Sequence, residues 1–170
     1  MGFIKVIILF LIFGICSIIG FLLSKKYVDR VSDLNEMKNA LNILETKIKF
    51  TRKPIADIFY EISNTISPNV GKIFLKSNEY IKCKETVGQA CIKALQETNT
   101  NFKQEDIDIL KNLSKMLGKT DVEGQISEIR LTETFLNTQI EKAQTICSNN
   151  EKMYRKLGTI IGLAVVILLL

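Results

Sequence analysis

The stretch YVDRVSDLNEMKNALNILETKI, residues 27–48, decides the fold class. Tyr27, Val31, Leu34, Met37, Leu41, Leu44 and Ile48 follow one another at steps of three or four residues. At about 3.6 residues per turn, such steps bring all these side chains to one face of an α-helix, an apolar stripe that must be covered. A bundle face within the same chain covers it more simply than a coiled-coil dimer, because more amphipathic segments follow.

Downstream, Pro54 suits the first turn of a second helix carrying Ile55, Ile58, Phe59 and Ile62, and Pro68 helps to end it. Val70, Ile73, Phe74 and Ile81 predict a third helix, and Val87, Ala90, Cys91, Ala94 and Leu95 a fourth, with Cys91 as a small core residue. The polar run Glu97–Lys103 reads as a loop. Ile107, Leu110, Leu113 and Leu117 make a fifth helix, capped at its C-terminus by Gly118. Thr120 and Glu123 have the spacing of a capping box opening a long sixth helix, whose stripe runs Val122, Ile126, Ile129, Leu136, Ile140, Ala143 and Cys147. No segment alternates in period two for long enough to be a strand. The fold class is therefore all-α: a membrane-anchored helical bundle of about six helices, with an apolar transmembrane helix at each end.

The membrane expectation comes from the ends. Residues 6–23, VIILFLIFGICSIIGFLL, and residues 157–170, LGTIIGLAVVILLL, carry no charged side chain, and every Asp and Glu lies between Asp29 and Glu151. The first run is close to the ~20 residues that cross a hydrocarbon core. It lacks the small-residue cleavage site of a secretory signal, and Ile15 precedes Cys16 where a lipoprotein signal wants a small residue. The second run rises only ~21 Å as a helix and spans with help from snorkelling Arg155 and Lys156. The organisation is then 1–26 anchor, 27–152 helical bundle and 153–170 anchor. Lys25, Lys26, Arg30, Lys152, Arg155 and Lys156 flank the anchors on the bundle side, which the positive-inside rule places in the cytoplasm. Small residues at four-residue spacing, Cys16, Gly20 and Ser24 in one anchor and Gly158 and Gly162 in the other, are candidates for transmembrane packing.

Composition narrows the chemistry. Lys and Arg number 23 against 18 Asp and Glu, a net charge of +5, and there is no histidine. This mild excess flanks the anchors rather than forming a nucleic-acid face. The remaining run, Lys47, Lys49, Arg52 and Lys53, reads as a solvated helix end ahead of a phosphate site. Without histidine, the usual general base is missing. Cys83, Cys91 and Cys147 have no CxxC or zinc-type spacing, so a reduced, cytosol-facing domain with free thiols is expected. There is no phosphate-binding glycine loop, H-E-x-x-H or nucleophile elbow. Glu105, Asp106, Asp108, Asp121 and Glu123 sit where acids complement a helix N-terminus and need no catalytic role. No catalytic, cofactor or metal residue is assigned, and a protein-binding role is left.

Two motifs go further. LGKTDVEGQ at 117–125 and KMYRKLGTIIGLAVVILLL at 152–170, supported by Gly20-Phe21, Lys26-Tyr27, ALNILETKI at 40–48 and Pro54-Ile55, resemble the stage III sporulation protein AB family of spore-forming Firmicutes over nearly the whole chain. The resemblance implies a two-span component of the mother-cell membrane complex that joins mother cell to forespore. It also implies a likeness to the cytoplasmic domain of type II secretion and type IV pilus inner-membrane platform proteins. Its implied partners are a cytoplasmic secretion-type ATPase, other membrane subunits and the lipid bilayer, with no nucleic acid. Secretion platform proteins carry two such domains and this chain one, so several copies, as a homo-oligomer, or further subunits are implied. The candidate partner contact is the turn of Leu117, Gly118, Lys119, Thr120, Asp121, Glu123 and Gln125, where glycines and polar side chains are expected at an exposed helix junction. The plainer alternative is that Gly118 and the Thr120 cap simply build the corner. A two-span signalling adaptor or stress sensor is the rival from another class, and an enzyme with an unfamiliar carboxylate site a third.

Overall fold

The computed structural model describes residues 2–51 and 53–169. Among them the order is α1 (Gly2–Thr51), α2 (Ile55–Ser63), α3 (Pro68–Lys82), α4 (Val87–Glu97), α5 (Gln104–Met116) and α6 (Val122–Leu169), with no strand. The chain divides into two compact units, Ser32–Glu141 and the paired terminal segments Met1–Val31 with Lys142–Leu170.

In the Ser32–Glu141 unit the apolar stripes do what their spacing predicts. Leu34, Met37, Leu41 and Leu44 of α1 are buried with Ile58, Phe59 and Ile62 of α2, Leu110 and Leu113 of α5, and Ile129 and Leu136 of α6. Phe59 and Phe74 meet edge to face, their ring centroids 5.4 Å apart, the arrangement aromatic quadrupoles favour. A void of about 30 Å³ beside Phe59, Phe74 and Cys91 is far below the size of a ligand pocket.

The seam between α3, α4 and α5 is built from small residues. A Cβ on Gly88 would come within 2.7 Å of the Ser114 carbonyl oxygen, so only glycine permits this approach of α4 to α5. Ser77 and Ser114 each return a hydroxyl hydrogen bond to their own helix, at Ile73 and Leu110. Burial pushes the Cys91 thiol between them up to about 12, against the weaker opposing pull of hydrogen bonds from Ser77 and Ser114. The plain core role expected for Cys91 fits this setting.

Carboxylates on α1 fasten two loops. Glu36 Oε2 accepts a hydrogen bond from the Ser67 amide at 3.1 Å, at the start of α3. Asp33 Oδ2 accepts from the Asn101 amide at 3.1 Å and from its side chain at 2.9 Å, tying down the loop after α4. The polar run after α4 is therefore a loop, as its composition predicts, although Glu97 itself still belongs to the helix. Pro68 differs from expectation: it opens α3 at the first helical position, where its missing N–H costs nothing, rather than serving mainly to end α2.

In the terminal unit the backbone of α1 and α6 stays helical, as continuous stripes suggest. Among the described residues no helix is long and apolar enough to cross a membrane. The two transmembrane expectations fall largely on side chains outside the described residues. The same holds for the packing candidates Cys16, Gly20, Ser24, Gly158 and Gly162.

Candidate functional site at the α5–α6 corner

The corner begins where α5 runs out of partners for its carbonyls. The Leu117 amide closes the last turn on Leu113 O at 3.1 Å, and Gly118 then turns the chain with φ +75°, a left-handed conformation that favours glycine. A Cβ on Gly118 would meet Val87 Cγ2 at 3.4 Å and Ile55 Cδ1 at 4.0 Å, so the corner lies against the starts of α2 and α4.

The capping box reads one residue out of place. The α6 helix starts at Val122, and Asp121 Oδ1 accepts the Gly124 amide at 3.1 Å, which makes Asp121 the cap. Thr120 lies outside the helix, and its buried Oγ1 has no hydrogen-bond partner. Both Thr and Asp are good caps; the chain path out of Gly118 selects the second.

Two members of the proposed contact are not on the surface. Leu117 is buried against the core, and Gln125 is buried within the turn. The Gln125 side chain donates from Nε2 to Thr120 O at 2.9 Å, and its Oε1 accepts from the Gly118 amide at 3.4 Å. It thus brackets both ends of the turn, and polarity alone could not separate this internal role from an exposed one. Gly118, Lys119, Asp121 and Glu123 remain exposed, and Thr120 is half-buried. Val122, apolar and 50% exposed beside them, is a surface residue that the helical stripe assigned to the core.

A second polar cluster went unrecognised in the sequence. Lys47 Nζ donates to Glu61 Oε2 at 2.5 Å, and Lys53 Nζ donates to the other oxygen of the same carboxylate. These two hydrogen bonds hold Glu61 far below the usual carboxylate range, at about 2. The basic run around Lys47 was visible, but the carboxylate that organises it lies on the next helix. On the α1–α6 side, Arg130 pairs with Glu45 at 2.7 Å. Glu133 nearby has its carboxyl raised by desolvation first and by the Glu45 charge second. Among the described residues no group of His, Cys, Asp and Glu could hold a metal ion.

Six described helices, with a corner bracketed by Gln125, make this an all-α helical bundle. The chain belongs to the stage III sporulation protein AB family, whose model matches residues 5–170. It is similar to the stage III sporulation protein AB of Bacillus subtilis (strain 168), 25% identical over 155 residues that cover 89% of this chain and 90% of that one. A solved structure of a stage III sporulation protein AB matches the fold with a TM-score of 0.66 at 20% identity, covering 70% of this chain and 96% of its own. The family is a sporulation family and not a known enzyme family, so the protein's role lies in sporulation.

Proposed function

We propose that this protein is a non-enzymatic platform subunit of a secretion-like membrane complex required for endospore formation. The reading rests mainly on the character of α1 and α6. Each helix carries a buried stripe within the bundle and exposed aliphatics towards its terminal end. Leu11, Ile15, Ile18 and Ile19 are 52–60% exposed, and Ile160 and Ile161 are 61% and 51% exposed. Exposed aliphatic side chains of this kind are costly in water and favourable in a bilayer. The terminal helices are then the two anchors. The flanking lysines and arginines support a cytoplasmic bundle, and the family resemblance supports the mother-cell membrane around the forespore as its location.

The partner favoured by the family resemblance is a cytoplasmic secretion-type ATPase, with other membrane subunits beside it. The protein's contribution is mechanical coupling. Motion imposed on the bundle passes along unbroken helices, whose hydrogen-bonded backbones transmit displacement better than a loop. The exposed part of the corner, Lys119, Asp121 and Glu123, offers the ATPase polar contacts on a rigid bracket.

Purification of the protein from membranes of sporulating cells, with and without the ATPase, tests this reading. Recovery of other membrane subunits that depends on the ATPase is the expected outcome. Recovery of signalling proteins instead, indifferent to the ATPase, favours the adaptor.

A further inference from the structure

The Lys47–Glu61 cluster has neighbours that a solvated helix end does not need. Phe50 is 71% exposed with the Lys49 ammonium 5.2 Å from its ring centroid, and Tyr60 is exposed with that of Lys82 at 5.9 Å. An open cleft of about 340 Å³ is lined by Lys53, Asp57, Tyr60, Glu61 and Lys82. The cations come from three places in the sequence: the end of α1, the α1–α2 link and the last turn of α3. Around the cleft Lys47, Lys53 and Lys82 outnumber the carboxylates Asp57 and Glu61, so the patch is positive beside the exposed Tyr60 ring. Open aromatics among cations are the composition of a protein-binding surface rather than of an idle helix end.

We propose that this patch docks an acidic, aromatic-bearing segment of a partner protein. Glu61 is the internal stand-in: it demonstrates that Lys47 and Lys53 are spaced to grip the two oxygens of one carboxylate. A partner's Glu or Asp takes that place, and its aromatic neighbour covers Tyr60. The charges steer the encounter and the rings supply the desolvated contact. The surface uses none of residues 117–125, so it stands whether or not the ATPase binds the corner.

The test uses the full chain in zwitterionic detergent and a fluorescein-labelled decapeptide of alternating Glu and Phe, with the Gln–Phe peptide as control. The acidic peptide should bind with a salt-sensitive rise in anisotropy, and the control should not. The double variant Lys53→Glu, Lys82→Glu should weaken binding about tenfold, whereas the equal charge change Lys72→Glu, Lys142→Glu should alter it less than about twofold. Glu61→Gln, which removes the internal competitor, should tighten binding several-fold beyond the effect of Asp108→Asn. Thermal melts monitor folding of every variant, and Lys82→Glu alone leaves both Glu61 pairs intact if Glu61→Gln unfolds. Equal loss from both lysine pairs would mean unspecific attraction and overturn the proposal. So would failure of the peptide while phosphatidylglycerol vesicles or RNA bind through the same lysines. An inactive corner variant that still binds the peptide separates this surface from the platform reading.

Discussion

Leu34 and Leu11 lie on the same helix and have opposite surroundings. Leu34 is sealed in the bundle with Leu41 and Leu44, while Leu11 stands open with Ile15, Ile18 and Ile19. The last helix repeats the contrast, with Ile129 and Leu136 buried and Ile160 and Ile161 exposed. The cause is visible in the sequence. Between residues 27 and 48 apolar positions occupy one stripe and polar ones the rest, so a few neighbouring helices suffice to cover them. Residues 6–23 are apolar all round, and no single neighbouring helix can cover such a surface. Under the platform proposal one helix is written for two solvents, with the join at the cluster of Lys25, Lys26 and Arg30.

The strongest way to break this comparison is to remove one apolar end. Deletion of residues 157–170 should reduce heat-resistant spores of a complemented null strain to the level of the empty strain, while the first apolar run, residues 6–23, keeps the protein in the membrane fraction. Full complementation by the truncated chain would show that the exposed aliphatics of that end serve no anchoring purpose.

Substitutions of the same chemical size sharpen it. Leu34→Ala and Leu136→Ala should each cost about 2–5 kcal/mol, the transfer term plus the cavity left behind. Leu11→Ala should change stability by less than about 0.5 kcal/mol, because a side chain already in contact with its surroundings leaves no cavity. Urea unfolding of the full chain in detergent, followed by circular dichroism, measures all three. Equal costs would mean that the ends are packed like the core.

A third contrast is between Cys91, buried, and Cys83, exposed. Folding raises the Cys91 thiol from 9.0 to about 12. Above pH 9 the unfolded chain therefore releases this proton first, and the folded state loses stability as pH rises towards 12. The slope is about 1.4 kcal/mol per pH unit at most. Cys91→Ala should flatten the alkaline decline, whatever it does to stability at neutral pH. At pH 8 a thiol reagent should modify Cys83 at once and Cys91 only on unfolding.

The bundle was largely legible because its signals are periodic and local. Leu34 to Leu44, Ile58 to Ile62 and Leu110 to Leu113 repeat at helical steps, and Gly118 marks the end of α5 by a conformation that glycine favours. Legibility failed wherever two local readings were equally good or the partner was distant in sequence. Pro68 could stop one helix or start the next. Thr120 and Asp121 are both capping residues, and the turn geometry chose between them. Gln125 has the polarity of a surface residue, but its amide has the reach to bond both Thr120 and Gly118, and so it became structural. The Lys47, Lys53 and Glu61 cluster needs α2 folded back on α1 before its members meet.

The smallest expected effect separates the two roles open to the corner. Asp121→Ala removes the acceptor of the Gly124 amide and should cost about 1 kcal/mol, as loss of a helix N-cap does. Thr120→Val should cost nothing or stabilise slightly, because the buried Oγ1 it removes has no hydrogen-bond partner. The reverse order of effects would restore Thr120 as the cap. Asp121→Asn then isolates function from architecture. Asparagine caps about as well as aspartate, so the fold should hold within a few tenths of a kcal/mol while the charge is lost. If heat-resistant spores fall with Asp121→Asn in a chain whose melting is unchanged, the carboxylate meets a partner at this corner. If spore yield is untouched, Asp121 only builds the turn, and the platform must make its contacts elsewhere on the bundle.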